Sequence, residues 1–314
     1  MVFLMACSAG ADDVGRGGYG GSFLKMGVGA RALATGGGSV SWADDGYAGY
    51  YNPAGLVFLQ EKYFTASAHK MALDRSLYYV GFSMPLETKG NERSKPMKAG
   101  FSLGWLGAMV DNIDARGFNG EDLGTLSHSN NCFHFGFALN PHPCLGIGIS
   151  GKALYSRFPG ITDSDEAMTA NGFAFDLGIL LKPYQNLQIG FVLRDMNGKY
   201  TWDSQKMYEK GTQTINKLPK IWRGGVSWQT LEGTLLVHAD VAQVERCPVV
   251  LHAGAQYAVF QNCQLRAGLE GSDPSFGLGY RFAMKDRYGQ LDYAFVPDPV
   301  APTSNHVFTW SLLF

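Results

Sequence analysis

From about residue 62 onward, apolar residues alternate with polar residues or glycine. In LQIGFVL, residues 187–193, the leucines, isoleucine and phenylalanine share one face, and FGLGYRF, residues 276–282, repeats this arrangement. A period of two is typical of a β-strand whose two faces lie in different environments. Roughly fourteen such segments of about ten residues follow one another. They begin near residues 62, 76, 96, 130, 144, 169, 187, 218, 234, 248, 263, 275, 289 and 305.

The connections between these segments differ at the two ends. Those after the even segments are mostly short, whereas long polar connections are predicted near 110–129, 157–168 and 198–216. Short turns at one rim and long loops at the other are typical of outer-membrane barrels. A soluble β-sandwich also has many short strands. The strand count, the rim asymmetry and the glycines on the polar face favour an all-β, transmembrane antiparallel β-barrel of about 14 strands.

The last segment, HVFTWSLLF, alternates like the others and ends in an aromatic residue. Such an ending resembles the signal that barrel-assembly machinery reads, so this machinery is an expected partner. The residues assigned to the signal share one face: Phe308, Trp310, Leu312 and Phe314.

Composition agrees with a membrane barrel. The 26 basic and 27 acidic residues nearly balance, which gives no sign of a nucleic-acid partner. Charged residues are only 17%, aromatics are 13%, and glycine occurs 41 times. No apolar run approaches the ~18 residues of a membrane-spanning helix. Contact with a lipid bilayer therefore requires a closed barrel, and we expect the outer membrane of a diderm bacterium.

Residues 1–11 are predicted to be the end of a signal peptide, because an apolar stretch leads to Ala9-Gly10-Ala11 before Asp12. A basic start is missing, so an upstream start is expected; a frayed apolar tail is the alternative. Four later cysteines are scattered, and the sequence leaves open whether they are small barrel side chains or form disulfides: Cys132, Cys144, Cys247 and Cys263.

Alternation assigns charged and histidine residues to the barrel lumen. With a turn near Arg246, Asp240 is expected opposite His252 on the neighbouring strand. Most of these charges are expected to pair with each other and with water; a polar conduit, or a set of contacts with a plug, is the other interpretation. The predicted lumen residues are His134, Lys152, Asp176, Arg194, Arg223, His238, Asp240, His252, Arg266, Glu270, Arg281 and Asp292. Their spacing fits no metal site, no catalytic motif is found, and we expect neither enzyme activity nor a cofactor.

One stretch near the start of the chain follows neither pattern: GVGARALATGGGSVSWADDGYAGYYNPAGL, residues 27–56. It resembles the N-terminal signature of the FadL-like outer-membrane superfamily, in particular its PorV/PorQ-type and UPF0164-type members. The resemblance covers some thirty residues and extends to the rest of the chain in architecture only. The motif residues singled out here are Gly27, Gly29, Arg31, Asp44, Asp45, Tyr51, Asn52, Pro53 and Ala54.

The resemblance implies a hatch, residues 12–60, folded inside a barrel of residues 61–314. We expect Asp44 and Asp45 to bind lumen arginines such as Arg223, Arg266 or Arg281, and Arg31 to meet a lumen carboxylate. It further implies a channel for small hydrophobic compounds such as long-chain fatty acids, gated by the hatch, with the ligand leaving sideways through the wall. Apolar contacts are expected from the outer loops: Met109, Val110, Ile113, Phe118, Leu123, Phe158, Ile161, Met207 and Tyr208.

The PorV-type resemblance implies a different function, that of an outer-membrane partner of a secretion system that holds or shuttles secreted proteins. This alternative predicts a protein-docking surface in the outer loops and needs no lipid path. A purely structural barrel is the third possibility. The sequence does not separate the first two.

Overall fold

The computed structural model describes residues 19–87, 97–159, 167–205, 211–230, 232–298 and 300–314. The expected signal peptide and the first residues of the expected hatch lie outside this part of the chain. From residue 63 onward the chain forms antiparallel strands: β1 Tyr63–Lys70, β2 Arg75–Glu87, β3 Lys98–Arg116, β4 Asp122–His142, β5 Leu145–Phe158, β6 Met168–Tyr184, β7 Leu187–Asp203, β8 Gln213–Lys217, β9 Ile221–Gln229, β10 Leu235–Val244, β11 Val249–Phe260, β12 Cys263–Glu270, β13 Asp273–Met284, β14 Arg287–Pro297 and β15 Ser304–Leu313.

Fourteen of these strands close into a barrel. Each pairs with its sequence neighbour, and β1 closes the ring against β15 with Tyr63 opposite Leu313. The remaining strand, β8, pairs only with the outer end of β7, while the lower part of β7 pairs with β9. The predicted fold class is therefore confirmed. Most strands begin within a few residues of the predicted positions.

Apolar side chains form a belt around the outside. On β5, for example, Ile147 and Ile149 are half-exposed, while Ser150 and Lys152, which follow them on the opposite face, are buried. A belt of this kind matches the lipid-facing surface of a membrane barrel, in which every backbone group pairs with a neighbouring strand. The four residues assigned to the assembly signal alternate with buried ones and lie on this outer face. In the described residues, no helix is long and apolar enough to cross a membrane.

The two rims differ as predicted, but the predictions of long loops near 110–129 and 198–216 were wrong. Turns of two residues join β4 to β5 and β6 to β7 at the rim that holds the C-terminus, which we call the periplasmic rim because short turns mark that side. At the opposite, outer rim, residues 110–129 are mostly strand: β3 and β4 continue as a hairpin with only residues 117–121 between them. Likewise, β7 runs to Asp203 and β8 begins at Gln213, so both ends of the predicted loop 198–216 are strand.

Residues 19–60, called here the inner segment, fill the lumen. They contain the short helices α1 (Ala30–Leu33) and α2 (Ala48–Tyr51), and the 3-10 turns Ser22–Lys25 and Pro53–Phe58. Their side chains make up much of the apolar core, packed against inward residues of the wall such as Tyr79 and Leu106. The core of the molecule therefore lies inside the barrel, between the wall and this segment.

Inward-facing glycines of the wall let the inner segment approach closely. A Cβ at Gly148 would collide with Pro53, one at Gly190 with the carbonyl of Val40, and one at Gly268 with Thr35. Only glycine leaves room for one backbone to lie directly on another at these places. The glycine-rich polar face of the strands is thus the surface on which the inner segment rests.

Candidate functional site

The motif residues mainly fold the inner segment onto itself. The Tyr51 hydroxyl donates to the Val28 carbonyl at 2.7 Å and accepts from the Val28 amide at 2.9 Å. The flanking Gly27 and Gly29 have φ of 72° and 80°, and a side chain at Gly29 would enter the ring of Tyr47. These glycines allow the sharp turn that presents Val28 to Tyr51.

Asn52 joins three parts of the molecule while fully buried. Its amide nitrogen donates to the Val40 carbonyl of the inner segment at 2.8 Å and to the Ile179 carbonyl of β6 at 3.1 Å. Its side-chain oxygen accepts from the Ala54 amide at 3.1 Å and so caps the 3-10 turn that begins at Pro53. Proline suits this first position because the turn needs no amide there.

Arg31 forms the charged centre of the inner segment. Its Nη1 lies 2.7 Å from an Asp44 carboxylate oxygen and 3.1 Å from one of Asp45, and its guanidinium stacks over Trp42 at 4.6 Å. Burial alone would lower the pKa of Arg31, but the two carboxylates hold it above its ordinary value. For Asp45, burial outweighs the attraction of Arg31 and raises the pKa of the carboxyl. One cation thus serves two carboxylates.

This arrangement corrects the expected anchoring. Neither Asp44 nor Asp45 forms an ion pair with a barrel arginine among the described residues, and Arg31 finds its carboxylates within its own segment. Its hydrogen bond to the barrel goes from Nε to the Gln256 side chain at 3.2 Å. The motif places its own cation and anions 13 and 14 residues apart, and the fold of the segment brings them together.

Three predicted lumen residues hold the backbone of residues 36–40. The Asp240 carboxylate accepts from the Val40 amide at 3.0 Å, and Arg223 donates to the Gly37 carbonyl at 2.8 Å. The His252 Nδ1 lies 2.7 Å from the Gly36 carbonyl. Asp240 and His252 stand directly opposite each other, as predicted, but each contacts the inner segment. These three residues therefore contact the plug, as the second interpretation of the lumen charges predicted.

Arg194 also contacts the inner segment: it donates to the Leu24 carbonyl at 3.2 Å and lies over the Tyr50 ring at 4.5 Å. Several of the other predicted lumen residues pair within the barrel. Arg266 binds Asp292 at 2.6 Å, and Arg281 lies 3.6 Å from Glu61. The His238 ring instead packs at a tilt against Trp42 of the inner segment, with centroids 5.2 Å apart. In the wall at β5 to β7, Lys152 lies between Asp176 and Asp195, at 2.8 and 2.6 Å. Within the described residues, no group of three or more histidine, cysteine or acidic side chains could hold a metal ion.

The inner segment separates two cavities. The first, called here the outer vestibule, has a volume of about 460 Å³ and lies at the outer rim. Apolar Met26 and Leu33 of the inner segment and Val250, Val296 and Pro297 of the barrel line it. Polar groups complete the lining: Lys25, His69, Glu270, Asp273 and Asn305. A mixture of apolar walls and a few polar groups is typical of small-molecule sites.

The second cavity, the periplasmic vestibule, has a volume of about 310 Å³ and is polar. Arg31, Asp44 and Asp45 form its floor, and Arg266, Arg281 and several glutamines of the barrel form its wall. The charged centre of the inner segment therefore faces the periplasmic rim, whereas its Met26 and Leu33 face the outer rim.

Sequence reasoning missed the lining of the outer vestibule. The apolar contacts were expected from the outer loops, but none of the described residues named for them lines the vestibule. Three of the expected residues, Ile161, Met207 and Tyr208, lie outside the described part of the chain. Leu33 belongs to the recognised motif and Met26 directly precedes it, yet nothing in the pattern shows that their side chains point to the outer rim. The four cysteines of the barrel are unpaired.

Comparisons with known proteins agree with this architecture. No protein-family profile and no curated protein sequence matches the chain. Among solved structures, the Pseudomonas putida toluene transporter TodX is similar with a TM-score of 0.59 and 15% identity, over 91% of this chain and 97% of that one. The CymD monoaromatic hydrocarbon channel gives 0.55 and 14%, over 92% and 97%. A FadL homologue from Pseudomonas aeruginosa gives 0.51 and 12%, over 91% and 96%.

The chain has the fold of FadL-type outer-membrane channels. Together with the outward apolar belt, this fold places the protein in the outer membrane of a diderm bacterium, in contact with the lipid bilayer. The comparisons do not distinguish the PorV/PorQ-type or UPF0164-type members within that fold.

Proposed function

We propose that this FadL-type protein passes small hydrophobic compounds, long-chain fatty acids among them, across the outer membrane, and that the inner segment is its gate. One observation carries the proposal: the inner segment forms part of the outer vestibule through Met26 and Leu33. A compound bound there touches the gate directly, so binding energy is available to shift the segment's position.

The size and chemistry of the vestibule support a small amphipathic ligand. Its volume lies within the ~300–1,000 Å³ of small-molecule pockets, and apolar contact contributes about 0.8 kcal/mol per buried CH₂ group. Lys25 and His69 at the same cavity are suited to an anionic headgroup. TodX and CymD are described as a toluene transporter and a monoaromatic hydrocarbon channel, so an aromatic hydrocarbon is the competing ligand class.

Equilibrium binding of a fluorescent long-chain fatty acid to the detergent-folded protein tests the proposal. Val250→Asn combined with Val296→Asn places two amides in the vestibule, and we expect affinity to fall by roughly tenfold because each removes apolar contact. Val300→Asn, in an exposed outer loop, is the matched control and should bind like the wild type. Competition with toluene separates the two ligand classes.

Folding is checked in each case by heat-modifiable gel mobility. If both variants bind the fatty acid with the affinity of the wild type, the ligand does not bind in the outer vestibule. A folded wild-type barrel that binds neither probe would contradict the proposed function.

A specific feature favours the second candidate, a partner of a secretion system that holds secreted proteins. The β3–β4 hairpin extends beyond the start of β2 and the end of β5, its neighbours in the sheet. It carries Phe118, which is fully exposed, and Leu123, which is 64% exposed. Exposed large apolar residues at a hairpin tip are common at protein-binding surfaces. Loss of cargo secretion on Phe118→Ser, with fatty-acid binding unchanged, would support this candidate.

A further inference from the structure

A group of cations projects from the barrel at the upper edge of the apolar belt. Lys199 of β7 and Lys217 of β8 are exposed on the outer face, and Lys220 and Arg246 lie beside them on the connections to β9 and β11. Together with Asn197 and Glu245 they line a recess of about 730 Å³. We call these four cations the basic cluster.

Two of the cations are forced together by the sheet. Lys199 and Lys217 are directly opposite each other in the β7–β8 ladder, and like charges in that position are destabilising unless an anion lies between them. No ion pair joins either lysine, Lys220 or Arg246 to another residue in the described part of the chain. The one carboxylate in the recess, Glu245, accepts from the Lys220 backbone amide at 3.3 Å.

The height of the basic cluster on the barrel indicates which kind of anion it meets. Trp222 of β9, two residues after Lys220, is lipid-facing. Phe173, the apolar residue nearest the outer rim on the outer face of β6, lies directly opposite Lys199. Aromatic girdles of membrane barrels mark the boundary between hydrocarbon and headgroups. The basic cluster thus lies at the level of the headgroups of the outer leaflet.

We propose that the basic cluster binds the phosphate-bearing headgroup of an outer-leaflet lipid, with Lys199, Lys217 and Lys220 contacting the phosphate and Arg246 closing the recess. The acyl chains then lie against the apolar belt below, near Trp222. Lysine and arginine groups at a membrane surface attract anionic lipids in this manner. The site is separate from the outer vestibule and does not depend on the compound that passes through the barrel.

The test uses the folded full chain in detergent and native mass spectrometry with bis-phosphorylated lipid A as the probe. Lipid A with both phosphates removed and inorganic phosphate are the comparison ligands. We expect retention of lipid A, little retention of the dephosphorylated form, and no equivalent binding of inorganic phosphate, since the acyl chains contribute. In a variant with Lys199→Gln, Lys217→Gln and Lys220→Gln, the affinity for lipid A should fall by at least about tenfold.

The matched control removes three exposed lysines at the periplasmic end: Lys62→Gln, Lys98→Gln and Lys285→Gln. It has the same net charge as the first variant and should bind lipid A like the wild type. Equal loss in both variants would show a general charge effect and overturn the proposal. So would equal retention of the two lipid A forms, unchanged binding by the first variant, or binding of inorganic phosphate as tight as that of lipid A. Gel mobility after heating confirms that each variant is folded.

Discussion

At the scale of single residues, the contacts of Arg31 couple the two halves of the recognised motif. Its guanidinium lies between Asp44 and Asp45 and over Trp42. The three ionic side chains are partly buried, with exposed fractions of 15%, 35% and 21%. Removing the cation leaves two neighbouring carboxylates with little solvent, which is more costly than the loss of an exposed ion pair.

We therefore expect Arg31→Ala to lower the free energy of unfolding by about 2–4 kcal/mol, measured by denaturant titration of the tryptophan fluorescence in detergent. Arg281→Ala, which breaks a longer and more exposed pair with Glu61, should cost less than about 1 kcal/mol. Adding Asp44→Asn and Asp45→Asn to Arg31→Ala should recover part of the loss, because the uncompensated charges are gone. A triple variant no more stable than Arg31→Ala would show that lost packing on Trp42, not charge, accounts for the effect.

At the scale of elements, the start of the inner segment lies against the strand that belongs to no closed ladder. The Gly20 amide donates to the Lys217 carbonyl of β8 at 3.1 Å. A Cβ built at Gly20 lies 3.6 Å from that of Asn216, which is within the 3.5–4.5 Å of disulfide bonds. The two positions therefore allow the inner segment to be tethered to the barrel.

We expect the oxidised Gly20→Cys, Asn216→Cys variant to take up long-chain fatty acid more slowly, if movement of the inner segment opens the path, and reduction to restore uptake. The measurement is uptake of labelled oleate by a host without its own fatty-acid channel. Each single cysteine variant is the control, and mass spectrometry confirms that the bond joins positions 20 and 216. Undiminished uptake by the fully oxidised variant would mean that this end of the segment stays in place during transport.

The elements also show how far the sequence alone leads. Strands such as β5 and β10 follow from alternation, because lipid on one side and a packed lumen on the other select different residues at successive positions. The hairpin of β3 and β4 above the belt was missed, because its few apolar residues do not alternate strictly and the β3–β4 register shifts between Val110 and Ile113. Contacts such as Asn52 with Ile179 join positions 127 residues apart, and no local pattern encodes them. The motif was enough to identify the inner segment. That Arg31 pairs with Asp44 and Asp45 could be seen only in the structure.

At the scale of the whole molecule, the barrel wall and its contents are separable in principle. The barrel closes through the pairing of β1 with β15, and in the described residues no part of the inner segment forms a strand of the sheet. The lumen is lined by glycines and by residues such as Asp240 and Arg223 that water can solvate in place of the segment. Polar lumens of this kind are stable in open outer-membrane barrels.

Deletion of residues 19–60 should therefore give a folded barrel that conducts ions, with a single-channel conductance in planar bilayers at least about tenfold above that of the full chain. We expect a lower melting temperature as well, because inward residues such as Tyr79 and Leu106 lose their apolar partners. The full chain, prepared in the same way, is the control. A deletion variant that keeps its heat-modifiable mobility but conducts no better than the full chain would mean that the outer strands and loops close the lumen without the inner segment, and would contradict its role as the gate.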